Sequence, residues 1–113
     1  MSKISTHILD LAAGKPAQDV PVHLEVQRAS GWRALASQRT DQDGRCPQLL
    51  PQSEPLAAGI YRLRFDVADY YAVRKISSLY PVIEITFEVR AGESQFHIPL
   101  LLNANGYTTY RGS

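Results

Sequence analysis

The chain has 113 residues, 44% of them hydrophobic, and sets 12 basic side chains against 11 acidic ones. That length suits a single domain, residues 1–113, with a core of its own. The balanced charge argues against nucleic acid or an anionic membrane as partner, the short apolar runs leave no membrane-spanning helix, and one cysteine, Cys46, allows no internal disulfide.

The opening "MSKISTHILDL" lacks an apolar signal core, so a reducing compartment, by default the cytoplasm, is expected. A first strand runs through "STHILDL". After the turn residues of "AAGKPAQD", strict alternation begins in "VPVHLEVQ": Val20, Val22, Leu24 and Val26 share one face, and Pro21, His23, Glu25 and Gln27 share the other. "ASG" joins this strand to "WRALASQ", and "DQDGR" is a turn in which Gly44 can take positive φ. "LPQSEPLAAG" reads as a loop. In "IYRLRFDV", Tyr61, Leu63, Phe65 and Val67 oppose Arg62, Arg64 and Asp66. "DYYAVRKI", Asp69 to Ile76, is the one helical candidate, with Asp69 as its cap. "IEITFEV" and "QFHIPLLL" alternate again and are joined by "AGES". The count predicts an all-β fold, a two-sheet antiparallel sandwich of seven to eight strands with one short helix.

The strand at 96–102 breaks the inside–outside rule. Phe96, Ile98, Leu100 and Leu102 form one apolar face, while Pro99 and Leu101 make the opposite face apolar too, beside His97. A sheet that is apolar on both sides is covered on both sides, most simply by a second copy of the chain.

The residues that could carry chemistry are few. His23, among polar neighbours, reads as a solvated surface residue. His97 reads either as an interface histidine with a satisfied hydrogen bond or as a general base in a partly dry site. His7 shares a strand face with Ser5 and Leu9. Arg45, in the "DGR" turn, would ordinarily be solvated, and Cys46 reads as a small apolar filler. No metal-binding or nucleophile-elbow motif is present in the sequence.

The stretches "STHILDLAAGKPAQDVPVHLE", "TDQDGR", "FHIPLLL" and the terminal "GYTTYRGS" resemble the transthyretin-like family, and specifically its enzymatic branch. With the strand spacing between them, the resemblance covers essentially the whole chain. It implies a transthyretin-like sandwich that hydrolyses 5-hydroxyisourate to 2-oxo-4-hydroxy-4-carboxy-5-ureidoimidazoline in urate degradation. No cofactor or metal is needed. Carried over by position, the catalytic set falls on His7, Arg45, His97 and Ser113. Substrate binding falls on His7, Arg45, Tyr110, Arg111 and Gly112. Ser113 is expected to hold a histidine tautomer or to bind substrate. The resemblance further implies a homotetramer, a dimer of dimers, with active sites between dimers. The alternative is a non-catalytic small-molecule binding protein of the same family.

Overall fold

A computed structural model describes residues 2–113. The strands are β1 (Lys3–Asp10), β2 (Lys15–Pro16), β3 (Pro21–Arg28), β4 (Gly31–Arg39), β5 (Arg45–Cys46), β6 (Gly59–Asp66), β7 (Val82–Val89), β8 (Gln95–Asn103) and β9 (Gly106–Thr109), with helix α1 (Ala68–Val73) after β6. Two sheets face each other. One runs β2-β1-β8-β9, with the short β5 added to β1; the other runs β4-β3-β6-β7. The sandwich expected from alternation is therefore present, with two-residue strands β2 and β5 beyond the expected seven or eight.

The alternating residues make the core. Val20, Val22, Leu24, Leu63, Phe65, Leu100 and Leu102 are wholly buried between the sheets. Each such side chain contributes about 1.5–3 kcal/mol relative to exposure. One pairing departs from the antiparallel expectation: β1 and β8 run parallel, with Ser5 opposite His97 and His7 opposite Pro99. The chain crosses to the other sheet between these two strands, so no tight hairpin forces them antiparallel.

The helix is shorter than the sequence predicts and starts earlier. It has Val67 at its N-cap, makes no side-chain cap, and carries Asp69 in its first turn. The Pro81 carbonyl instead accepts hydrogen bonds from the Val67 and Ala68 N–H groups, so Asp69 is not needed as a cap. Two buried tyrosines fix the helix to the sandwich. The Tyr70 hydroxyl donates to Asp10 Oδ2 at 2.6 Å, and Tyr71 stands edge-on to it, 5.4 Å between ring centres.

The "DGR" turn is held from both sides. Asp41 Oδ1 accepts from the N–H groups of Asp43 and Arg45, each at 2.9 Å. Gly44 takes φ +74° and presses against β1, where an added Cβ would collide with the Ile8 carbonyl and stand 3.2 Å from Ala17 N. Gly44→Ala thus combines left-handed backbone strain with a backbone clash. It is expected to lower stability by about 2–3 kcal/mol, seen as a fall of roughly 10 °C in Tm by differential scanning calorimetry. An unchanged Tm would show that the turn can relax away from β1.

Candidate active site

The site lies on the outer face of the sheet that contains β1 and β8. Along β1, Ile4, Thr6, Ile8 and Asp10 are buried inward, which turns Ser5, His7 and Leu9 outward. Along β8 the outward positions are His97, Pro99 and Leu101. The register then assembles rows across the sheet. His7 lies between Arg45 of β5 on one side and Pro99 on the other. His97 lies between Ser5 and the tail residue Gly112, with which it forms an isolated bridge. Imidazoles from opposite ends of the chain, an arginine from a turn and the terminal tail thus share one sheet face.

The tail reaches this position because β9 pairs with β8 and then continues beside it. Gly112 N–H donates to the His97 carbonyl at 2.7 Å. Arg111 straps the tail to the start of β8: its guanidinium bonds Glu93 at 3.0 Å and the Gln95 carbonyl at 3.1 Å, and stacks on Phe96 at 4.4 Å. Tyr110 is just over half exposed, at 54%. Of the positions expected to bind substrate, Arg111 is therefore engaged in holding the tail.

A cavity of about 430 Å³ opens over this face, lined among others by Ser5, Arg45, His97, Gly112 and Ser113. His7 stands one row further along β1 and does not line it. The His97 ring is half-buried, and Ser5 Oγ lies 2.8 Å from its Nδ1. Burial is the largest influence on this imidazole and pushes its pKa below the ordinary 6.5; the nearby Arg45, His7 and Lys3 push it the same way. The ring is consequently neutral near pH 7 and available as a base. Arg45 is exposed to the cavity and stays charged.

Ser5 escaped the reading of the sequence. Alternation placed it on the face of His7, but only the parallel β1–β8 register sets it against His97. It is Ser5 whose hydroxyl meets His97 Nδ1. His23 also differs from expectation. It is no free surface residue: Nδ1 lies 2.8 Å from Ser37 Oγ and Nε2 lies 2.8 Å from Asp66 Oδ2, leaving its side chain 23% exposed. Cross-strand neighbours from β4 and β6 supply both partners. On the same sheet Arg62 bonds Glu25 at 2.8 Å and stacks on Trp32 at 4.2 Å. Cys46 is buried in the core, and desolvation first, then Asp41, pushes its thiol up to about 11, so it is no nucleophile at neutral pH. Among the described residues no group of three or more His, Cys, Asp and Glu side chains is placed to hold a metal.

A two-sheet sandwich with one short helix, its mixed sheet carrying this row of imidazole, guanidinium and tail, defines a protein of the transthyretin-like class. Residues 4–112 match the HIUase/Transthyretin family, and the chain belongs to that family. The 5-hydroxyisourate hydrolase of Salmonella dublin is 42% identical over 110 residues, covering 97% of this chain and 80% of its own. The solved 5-hydroxyisourate hydrolase of Klebsiella pneumoniae superposes with a TM-score of 0.86 at 36% identity, with both chains covered completely. Transthyretin from Sparus aurata superposes with a TM-score of 0.90 at 28% identity, covering 99% of this chain and 97% of its own.

Proposed function

We infer that this protein hydrolyses 5-hydroxyisourate to 2-oxo-4-hydroxy-4-carboxy-5-ureidoimidazoline, a step of urate catabolism, and that the face built on β1, β5, β8 and the tail is where it does so. The observation that carries the reading is the neutral, half-buried His97 in one cavity with Arg45, Gly112 and Ser113, in a chain 42% identical to a named hydrolase of that substrate.

The reaction is acyl transfer to water. Water must lose a proton as it attacks, and the carbonyl oxygen must be stabilised as it turns negative. His97 takes the proton as the water oxygen bonds to the carbonyl carbon, and the proton passes on to the ring nitrogen as the C–N bond breaks and the ring opens. Arg45 presents its fork of donors to the planar substrate edge and to the developing oxyanion. His7, paired with Arg45 across the β1–β5 ladder, serves proton transfer one row away. Gly112 and Ser113 close the cavity beside His97. Tyr110 and Arg111 keep the tail on the sheet.

The oligomer we propose is a homotetramer, a dimer of dimers, working in the cytoplasm. What supports it is the outward row of Leu9, Leu101 and Thr108 beside the cavity, whose two half-buried leucines lie on the same face as the site. A second copy seated there would shield the site from bulk solvent while leaving room for the attacking water.

The purified protein is expected to consume freshly made 5-hydroxyisourate, followed by ultraviolet absorbance, well above the spontaneous rate. A non-catalytic binding protein would leave the decay at background. The pH profile carries the signature of His97. Protonation removes the base, so kcat/KM is expected to fall on the acid side with a midpoint below 6.5 and to be flat from neutrality upward. The same shift weakens folding in acid. The unfolded chain takes up this proton first as pH drops through 6.5, so the cost grows until the folded ring is protonated too and is absent above 6.5. An acid midpoint at or above 6.5 would exclude His97 as the titrating base.

A further inference from the structure

We propose that Ser5 is a positioning residue that holds His97 with Nδ1 protonated, so that Nε2 is the nitrogen that takes the proton from water. The proposal rests on the hydrolase reading for its catalytic meaning, but its geometry stands independently.

Three edges of the imidazole have to be accounted for. Nδ1 lies 2.8 Å from Ser5 Oγ, on a serine only 8% exposed and directly opposite His97 in the parallel ladder. The Cγ–Cδ2 edge is covered by the tail. A Cβ placed on Gly112 would stand 2.5 Å from Cδ2 and 3.2 Å from Cγ, so the glycine leaves no room for a side chain beside that edge. What remains is the edge bearing Nε2, for which no protein partner exists among the described residues. The ring is thus clamped on two sides and open on the third.

A neutral imidazole carries its hydrogen on one nitrogen only, and the partner of the other nitrogen decides which. A serine hydroxyl can accept or donate, so a second influence must choose. That influence is charge. Arg45 lines the same cavity as His97, and Lys3 stands on the same strand face two residues before Ser5. Both are cations, and both depress the His97 pKa. A lone pair at Nε2 turned towards that positive cavity is favoured, whereas an N–H dipole turned towards it is not. His7 acts in the same direction from β1. Of the other charges near the tail, Arg111 is paired with Glu93, and the terminal carboxylate of Ser113, which lines the cavity, is not among the groups acting on the His97 ring. Ser5 therefore accepts the Nδ1 hydrogen, and the base points outward.

The test compares wild type, Ser5→Ala and Ser5→Thr, all as full-length chains. With histidine labelled by ¹⁵N, the His97 ring signals report the tautomer directly and need no substrate. Wild type and Ser5→Thr are expected to show the Nδ1–H form, and Ser5→Ala a mixture. In turnover, Ser5→Ala is expected to lose about tenfold in kcat, the scale of one hydrogen bond, with KM little changed. Ser5→Thr recovers most of that loss. A wild-type ring protonated at Nε2, or a Ser5→Ala protein with an unaltered tautomer and kcat, overturns the proposal. Absence of turnover in wild type with the Nδ1–H signal intact would overturn the hydrolase reading and leave the clamp standing.

Discussion

Replacing His97 with Asn should cost roughly 10²- to 10⁴-fold in kcat, the range in which positioned acid–base groups contribute. The substitution is chosen to leave the fold alone. Asn is shorter than His but keeps polar atoms near Nδ1, so Ser5 retains a partner and no buried hydroxyl is orphaned. The backbone contact from Gly112 goes to the His97 carbonyl and survives any side chain. Tm should therefore stay within a few degrees of wild type, and the loss should fall on turnover. The acid limb of the pH profile should vanish with the imidazole, since the residual rate no longer depends on its protonation. A variant that keeps the wild-type rate would remove His97 from the mechanism and shift the burden to His7. That outcome is conceivable on chemistry alone, because both rings occupy one sheet face. Their settings differ: His97 lines the cavity, whereas His7 stands a row away, against Arg45.

Much of this arrangement could be read in the residues, and the reason is periodicity. Strands β3, β6, β7 and β8 announce themselves because one face of each is buried, so apolar and polar residues must alternate. The second apolar face of β8 was visible for the same reason. Gly44 was legible as a turn because no other residue takes its φ without strain. What alternation does not encode is which strand lies beside which. The parallel pairing of β1 with β8 joins residues about ninety positions apart, and only that pairing makes Ser5 a partner of His97. His23 was misjudged on the same ground, since Ser37 and Asp66 come from strands whose adjacency the local sequence does not state. The helix start slipped because its first N–H groups are satisfied by Pro81, a long-range carbonyl, where a local capping rule looks to Asp69. The roles in the tail came from resemblance, and its geometry from the extension of β9 along β8 to the His97–Gly112 bridge.

Gly112→Ala is the companion experiment, and it should strike activity harder than stability. The φ of Gly112 lies outside the left-handed region, so alanine meets no backbone penalty there. The cost is contact alone: its Cβ would stand 2.5 Å from His97 Cδ2 and 3.2 Å from the His97 carbonyl oxygen. Something has to yield. If the ring swings away, it leaves Ser5 and the base loses its aim. If the tail lifts, the Gly112 N–H releases the His97 carbonyl and the cavity loses a wall. Either displacement approaches 1 Å, and misplacement on that scale costs on the order of 10²-fold in rate. Stability should change by about 1 kcal/mol or less, because the contact lies at the sheet edge outside the core. Gly106→Ala supplies the comparison within the same tail hairpin: a Cβ there meets nothing within 4 Å, and its φ is also ordinary. Its turnover should match wild type. If Gly112→Ala matched it as well, the ring and tail would have to be looser than their contact allows, and the tail would be a cover for the site rather than one jaw of the clamp that aims its base.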